Sequence, residues 1–356
     1  MVKALSMRWF GFGFNEFGQI VGREQDRRSD DANEVKVVRP TEVARVNKCS
    51  CKVPREILQV RTSWSARLSD CKILHSLHHQ LPLPIQFLTH SSKLKVKRAK
   101  QHSIKRQPIV AYLYLKLYIN FFLDPPLKLP LVSKGYIALK PPFYRPLSPH
   151  LKAKSLALGP VHAILLCTTG AVYTWGLGSH GQLGHGSLTS EEEPRTVEAL
   201  WGVPMKAVAA GGWHCCCISE TADLYVWGWN ESGQLGLPSR GVRKAQGQNI
   251  CGKEEDKEIF ISIQAFPALL DLNPPCEIKA VSCGSRHTAA ITTEGNLYTW
   301  GWGQYGQLGH QNVLSSDEPQ CVEFFKEHQL CVSDVVCGVW NTFAAVVKQE
   351  ESENYP

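Results

Sequence analysis

The chain has 356 residues, of which 43% are hydrophobic and 20% are charged, a balance that excludes disordered and fibrous proteins. Its formal net charge of +7 is unevenly placed: residues 71–150 contain 13 Lys or Arg and one acid, whereas residues 151–356 contain 13 Lys or Arg and 22 Asp or Glu. Because binding to phosphates needs clustered basic side chains, the acidic second half argues against direct nucleic-acid binding and favours a basic protein partner.

The first element in chain order is the segment FGFGFNEFGQI at residues 10–20, which matters because three later segments resemble it. The later copies carry Trp at the place of Phe12, and they are YTWGLGSHGQLG (173–184), YVWGWNESGQLG (225–236) and YTWGWGQYGQLG (298–309). Self-similarity of this kind is the sequence signature of a repeat architecture. We infer that the chain contains at least four copies of one unit.

The next segment, residues 66–140, does not follow the repeat. Residues 71–150 contain a single glycine, Gly135, and neither the basic run Lys93–Lys100 nor the apolar run Ile109–Leu123 fits a repeat unit. Two interpretations stay open: a divergent pair of units, or a non-native insert such as translated intron sequence, which the composition favours. The basic run is a candidate nuclear localisation signal if it is native. The apolar run is interrupted by a lysine and shorter than the ~20 residues of a membrane span, so we expect no membrane association.

A Gly-x-x-His step precedes each later copy at a constant distance. The His stands 13 residues before the Trp in all three units, at His162, His214 and His287. A proline follows the Trp by 19 residues in the first and third units, but by 40 residues in the middle unit. We therefore expect a 21-residue surface insertion between residues 237 and 266, in which the polar stretch 240–258 is a solvated loop.

Each unit contains the sequence of a β-hairpin. Residues 287–292 and 297–300 are β-prone runs, and Gly295 in the turn between them supplies a positive φ without steric strain. In the middle unit Ala222 replaces this glycine, so that hairpin needs a different turn or carries strain. A hairpin alone cannot bury both its faces, and units of this length stack radially as propeller blades, with an aromatic ring filling each space between blades.

The two ends of the chain carry complementary halves of one unit. Gly338 and Asn341 stand where Gly-x-x-His is expected, and the matching strand Thr342–Val347 has no second strand after it. Residues 9–20 are a second half that no first half precedes. We expect the N-terminal strand to complete the last blade, because this closure removes free sheet edges.

The predicted fold is an all-β propeller of six or seven blades, the last of which the N-terminal strand closes. We place the first blade or blades in residues 1–65, the divergent or non-native insert in residues 66–140, and the remaining repeats in residues 141–356. The glycine-rich segments do not open a helix, and no nucleophile is paired with a base. We therefore expect neither enzymatic activity nor a cofactor.

The histidines and the 13 cysteines raise the question of a metal site. Zinc sites usually contain Cys-x-x-Cys steps, and this sequence has none. His162, His214 and His287 occupy equivalent places on different blades, so we expect each to hydrogen-bond the backbone of its own blade. Most of the cysteines are expected to be small buried apolar residues. We predict no metal site.

The residue before the His position differs from unit to unit, and these residues should share one rim of the propeller. They are Val161, Trp213, Arg286 and Trp340. Because Trp and Arg are enriched in interface hot spots, we predict that Trp213, Arg286 and Trp340 bind a protein partner. Packing between blades is the alternative.

The steps Gly-x-x-His-Thr, Tyr-x-Trp-Gly and Gly-Gln-Leu-Gly, which recur over residues 159–347 and 9–20, resemble the regulator of chromosome condensation repeat family. The resemblance implies a propeller, a location in the nucleus with the cytoplasm as an alternative, and a role in chromatin regulation, the mitotic spindle and chromosome segregation. WFGFGF at residues 9–14 and PFYRPL at residues 142–147 are most similar to a family member that partners a JmjC-type oxygenase. This implies a JmjC-domain oxygenase as partner and histones as indirect partners.

Three functions stay open. The first is a scaffold that binds such a chromatin-modifying oxygenase. The second is a guanine-nucleotide exchange factor for a Ran-like small GTPase, the activity of the founding member of the family. The third is a substrate-recruiting interaction module.

Overall fold

The described part of the chain consists almost entirely of β-strands. The computed structural model describes residues 8–15, 20, 36–43, 131, 134–137, 144–247 and 259–348. These residues form four antiparallel sheets of four strands each, together with a hairpin of β3 (Gly135–Ile137) and β4 (Tyr144–Pro146). The predicted all-β propeller is confirmed.

Each four-stranded sheet is one blade, and the blades are numbered in chain order. The first blade contains β5 (Ala153–Leu158), β6 (His162–Cys167), β7 (Val172–Gly176) and β8 (Glu191–Thr196). The second contains β9 (Met205–Ala210), β10 (His214–Ser219), β11 (Leu224–Trp229) and β12 (Ile263–Leu270). The third contains β13 (Ile278–Cys283), β14 (His287–Thr292), β15 (Leu297–Gly301) and β16 (Ser316–Cys321). The fourth contains β17 (Leu330–Cys337), β18 (Asn341–Lys348), β1 (Arg8–Phe14) and β2 (Lys36–Glu42).

The fourth blade joins the two ends of the described chain. Strand β1 pairs antiparallel with β18, in a register that runs from Arg8 opposite Val346 to Gly13 opposite Asn341. The expected closure is therefore confirmed. It goes further than the sequence indicated, because β2 adds a fourth strand on the other side of β1.

In the second, third and fourth blades an aromatic ring from the third strand fills the space against the preceding blade. Trp227, Trp300 and Phe12 are fully buried, and each packs into the core shared with that preceding blade. The indole N–H of Trp227 donates to the Gln182 carbonyl and that of Trp300 to the Gln234 carbonyl, both at 3.0 Å. The rings thus hold adjacent sheets together, as the repeat predicts.

The Gly-x-x-His step is explained by close packing where the second strand of each of the first three blades begins, at His162, His214 and His287. A Cβ atom on Gly284 would lie 2.0 Å from Cε1 of His287 and 2.7 Å from the carbonyl oxygen of Gly338 in the next blade. The same approach of ring and neighbouring backbone recurs at Gly159 and Gly211. Only glycine leaves room for both contacts.

The hairpin turn of the second blade carries strain. Ala222 has a φ of 71°, whereas the equivalent turns have Gly170 at 82° and Gly295 at 87°. The sequence left open either a different turn or a strained one. The structure has the same turn as in the other blades, and Ala222 takes a backbone conformation that residues with a side chain rarely adopt.

The insertion in the middle unit is not entirely a loop. Residues Arg240–Ala245 form a short helix, α1, which begins where the Ser239 side chain accepts a hydrogen bond from the Val242 amide at 3.4 Å. Arg243 of this helix lies 3.4 Å from carboxylates of Asp317 and Glu318 in the third blade. The expectation of a loop was wrong for this part, because the capping serine and the buried side chain of Val242 stabilise a helical turn.

A second short helix, α2 (Glu323–Glu327), connects the third and fourth blades. In the described ranges no helix has the length and the apolar surface to cross a membrane. The basic run at 93–100, the apolar run at 109–123 and residues 248–258 lie outside the described residues. The number of blades and the proposed domain boundaries stay predictions.

Candidate functional site

The four variable residues before the His positions lie at the same end of the blades. At this end, the first residue of the second strand of a blade pairs with the glycine that follows the buried aromatic ring of the third strand, as His162 does with Gly176. The carbonyls of these residues each accept a backbone N–H at 2.8–2.9 Å, in the pairs Val161–Leu177, Trp213–Trp229, Arg286–Trp302 and Trp340–Phe14. We call this end of the propeller the His end.

One cluster of side chains at the His end joins the first, second and third blades. The rings of Trp213 and Trp229 meet edge to face with centroids 5.6 Å apart, and the His180 ring lies 5.5 Å from Trp229. The Arg286 guanidinium lies 4.9 Å from the centroid of the Trp229 ring, which is a cation–π contact. Two of the predicted partner-binding residues therefore belong to one cluster.

A second cluster at the His end joins the third and fourth blades. Trp302 lies 4.7 Å from Trp340 and 5.1 Å from Tyr305, measured between ring centroids. Phe14 of the closing strand packs 5.0 Å from Tyr305, and the Lys36 ammonium lies 5.8 Å from the same ring. The closure by the N-terminal strand thus positions the aromatic side chains at this end.

Six residues from the two clusters form a surface that we call the aromatic rim, and they are Trp213, Trp229, Arg286, Trp302, Tyr305 and Trp340. All six are partly exposed. The structure brings the three predicted residues to this rim, and it also shows that they pack across blade boundaries. The sequence had set these two descriptions against each other as alternatives.

The charge on the aromatic rim is positive. Among the described residues no carboxylate forms an ion pair with Arg286, and its Nε is buried without a hydrogen-bond partner. The remaining N–H groups of an arginine that packs against an indole are suited to bind a carboxylate or a carbonyl. The rim therefore differs from the acidic repeat half as a whole.

The three histidines lie on the inner strands, not on the rim. Nε2 of His214 lies 2.9 Å from Oγ1 of Thr288, and Nε2 of His287 lies 3.0 Å from Oγ1 of Thr342. The expectation that each histidine bonds the backbone of its own blade was wrong for these two, because the partner is a hydroxyl of the following blade. Sequence reasoning missed the partner because it immediately follows the next His or Asn, a whole unit away.

Burial keeps His162 and His287 neutral. It lowers the pKa of His162 to about 4 and that of His287 to about 3, because the imidazolium form is not solvated in the interior. Burial also favours the neutral form of the thiols, because desolvation raises the pKa of Cys337 to about 12 and that of Cys283 well above its usual range. Such thiols are poor nucleophiles at neutral pH.

The opposite end of the blades, where the hairpin turns lie, also has an aromatic cluster, in which Phe10, Phe324, Phe325 and His328 pack together. The three phenylalanines are buried, so this cluster belongs to the core and offers no comparable surface among the described residues. The same end does have one large exposed ring, because Trp201 is 68% exposed in the connection between β8 and β9. An isolated exposed ring is common on protein surfaces, whereas a group of aromatic and cationic residues is typical of a binding surface. The aromatic rim is therefore the candidate functional site.

Two family models, both described as Regulator of chromosome condensation (RCC1) repeat, match the chain. One matches residues 169–218, 222–291 and 294–345, and the other matches residues 153–182, 205–234 and 278–307. Together they cover residues 153–345 without a gap, which is more than half of the chain.

Two curated relatives carry the name RCC1 domain-containing protein 1. The protein from Mus musculus is 51% identical over 235 residues, which cover 62% of this chain and 62% of the relative. The protein from Homo sapiens is 49% identical over 244 residues, which cover 63% of this chain and 65% of the relative. The chain thus spans less than two thirds of the length of these relatives.

Among solved structures, Prp20p from Saccharomyces cerevisiae, studied together with its binding to Gsp1p and histones, is similar to this chain. It is 24% identical with a TM-score of 0.48, and the match covers 60% of this chain and 48% of Prp20p.

Proposed function

Since the chain belongs to the family of proteins built from regulator of chromosome condensation repeats, we propose that it is a non-enzymatic scaffold whose aromatic rim binds a protein partner. We propose further that this partner is a chromatin-modifying oxygenase of the JmjC class, that the protein works in the nucleus, and that the complex serves chromatin regulation and the mitotic spindle. Histones are then contacted through the oxygenase.

The composition of the aromatic rim is the observation that supports a binding role. Trp, Tyr and Arg are the residues that most often contribute large shares of binding free energy, and here they are already packed against one another. Side chains that are held in place before binding lose little conformational entropy when a partner arrives. The rim is thus a preorganised surface and not a set of independent exposed rings.

The aromatic rim offers no chemistry of its own. Its one cation is Arg286 and its other five members are aromatic rings, while Lys36 lies beside the rim against Tyr305. Exchange of nucleotide on a GTPase needs only binding, so an exchange factor is the competing function that a rim of this kind leaves open. The third alternative, a substrate-recruiting module, uses the same surface with a different partner.

The test compares a rim variant with a matched variant at the other end of the blades. The full chain and its W213A/R286A form are immobilised and incubated with a purified JmjC-domain oxygenase. A W201A form removes an exposed indole from the opposite end and serves as the control. Loss of a hot spot typically weakens binding by about 2 kcal/mol, or roughly 30-fold in Kd.

We expect the rim variant to lose the oxygenase and the control to retain it. Equal retention by both forms contradicts the assignment of the rim. A parallel assay follows release of a fluorescent GDP analogue from Ran: acceleration by the full chain and not by the rim variant supports the exchange factor in place of the scaffold. Circular dichroism melting of each variant separates lost binding from lost folding.

A further inference from the structure

One group of potential metal ligands lies inside the propeller, at the boundary between the second and third blades. His214, Cys216 and Cys283 each offer one potential ligand atom, and these atoms all lie within 4.8 Å of one another. The side chains are 0%, 0% and 3% exposed. The Sγ atoms of the two cysteines are 3.5 Å apart.

The fold brings the three residues together from two blades. His214 and Cys216 are two positions apart on β10, so their side chains leave the same face of that strand. Cys283 is the last residue of β13 in the third blade. The group therefore lies across the boundary between the second and third blades. The absence of Cys-x-x-Cys steps led to the prediction of no metal site, but that pattern brings ligands together locally, whereas this group depends on the packing of two blades.

We propose that His214, Cys216 and Cys283 bind a Zn²⁺ ion that links the second and third blades. Two thiolates and one neutral imidazole around Zn²⁺ give a net charge of zero, which is the condition for an ion in an interior without counter-ions. In a tetrahedral zinc site with Zn–S near 2.3 Å, two sulfur atoms lie about 3.8 Å apart, close to the separation found between these cysteines.

Hydrogen bonding around His214 fixes the form of the imidazole that a metal requires. The Thr288 hydroxyl donates to the Gln234 carbonyl at 2.7 Å, so at 2.9 Å it accepts the proton of His214 Nε2–H. Nδ1 then carries a lone pair, and it is buried without a hydrogen-bond partner. A ligating histidine typically donates its other ring N–H to an oxygen in this manner.

At the boundary between the third and fourth blades, one of the three ligands is missing. His287 has the same threonine partner, in Thr342, and Cys337 occupies the place that corresponds to Cys283. The position that corresponds to Cys216 is Ala289. The complete set of three ligands thus occurs at one boundary only among the described blades, on the repeat framework that all of them share.

The experiment uses the full chain, purified without chelator, with metal content measured after gel filtration and after incubation with Zn²⁺. Co²⁺ is then used as a spectroscopic probe, because bound thiolates give charge-transfer bands and a tetrahedral ion gives strong visible bands. The variants are C216A and C283A, which introduce the residue that the repeat already has at Ala289 and at Ala210. The control is C217A, because Cys217 is buried on the same strand but faces the first blade.

We expect one equivalent of zinc in the wild type and in C217A, and less than a tenth of that in C216A and C283A. The Co²⁺ forms of wild type and C217A should show the thiolate bands, and C216A and C283A should lack them. A wild type that takes up neither ion, or C216A and C283A forms that retain the metal, would overturn the proposal. Melting curves confirm that each variant is folded, and an A289C form that gains a second equivalent provides a test independent of any loss of folding.

Discussion

The Gly-x-x-His step makes a strong prediction about a single methyl group. Gly284 has ordinary backbone geometry, yet a Cβ atom there would lie 2.0 Å from Cε1 and 2.3 Å from Nδ1 of His287, and 2.7 Å from the Gly338 carbonyl oxygen. The G284A substitution must therefore displace either the imidazole or the backbone of the next blade. Neither yields easily, because His287 is fully buried and bonded to Thr342.

The expected loss follows from these distances. An ordinary carbon contact is about 3.5–4.0 Å, so the ring has to move by about 1.5 Å or the blades have to separate. Overpacking of a core typically costs 1–3 kcal/mol, and this case lies at the upper limit, so we expect a loss of about 3 kcal/mol. For a domain of this size that corresponds to a fall in Tm of roughly 6–12 °C.

Thermal and urea unfolding of G284A beside G202A provide the assay. Gly202 has a φ of 83° but nothing within 4 Å of the added Cβ, so G202A measures backbone strain without a clash and should lose about 1 kcal/mol. The double variant G284A/H287A should lose less than the sum of its single variants, because truncating the ring removes the clash. A G284A loss no larger than that of G202A, or full additivity in the double variant, would refute the reasoning.

Three further changes test other parts of the structure. A222G should raise the free energy of unfolding by about 1 kcal/mol in urea titration, because it relieves the positive φ, and the reverse change G170A should lower it. Burial holds the pKa of His162 at about 4 against 6.5 unfolded, so its contribution to stability is complete above pH 6.5 and is lost as the pH falls toward 4. That loss is about 3 kcal/mol, and H162N, which introduces the residue found at this place in the fourth blade, should flatten the dependence in unfolding experiments across this pH range. W300F removes the indole N–H that donates to the Gln234 carbonyl at 3.0 Å, together with part of the ring that fills the space between blades. We expect the free energy of unfolding to fall by about 2 kcal/mol in the same titration, and an unchanged value would contradict this role of the ring.

The sequence was sufficient for those features of the fold that depend on the repeat itself. The spacing of Trp227 and Trp300 marked them as wedges, and the half units at the two ends implied the pairing of β1 with β18. Both inferences succeed because each needs only the period of the repeat and the burial of large rings. The common end of Trp213, Arg286 and Trp340 follows in the same manner from their equivalent positions.

Contacts between particular side chains of neighbouring blades could not be predicted from the sequence. The bond of His214 to Thr288 joins residues 74 positions apart, and its partner is set by how closely two sheets approach. The approach of Cys283 to Cys216 has the same origin. Strand β2 was missed for a different reason, since Lys36–Glu42 carries none of the glycine and aromatic marks of the repeat.

The residues of the aromatic rim combine partial exposure with packing between blades, although partner binding and blade packing were alternatives in the sequence analysis. Trp340 contacts Trp302 across a blade boundary, and both remain partly exposed. A large ring has two faces and two edges, so it contributes to packing with one part and remains available to a partner with another. A sequence pattern distinguishes buried from exposed positions but does not describe a ring that is both.

The N-terminal strand closes the fourth blade, which completes a sheet and also places Phe14 against Tyr305 at the aromatic rim. Hydrogen exchange of the backbone amides in β18, followed by mass spectrometry, tests this closure when the full chain is compared with a form that lacks residues 1–20. Strand β6 of the first blade serves as the internal control. We predict that amides of β18 exchange at least a hundredfold faster in the shortened form while those of β6 stay protected. Unchanged protection of β18 would contradict the account.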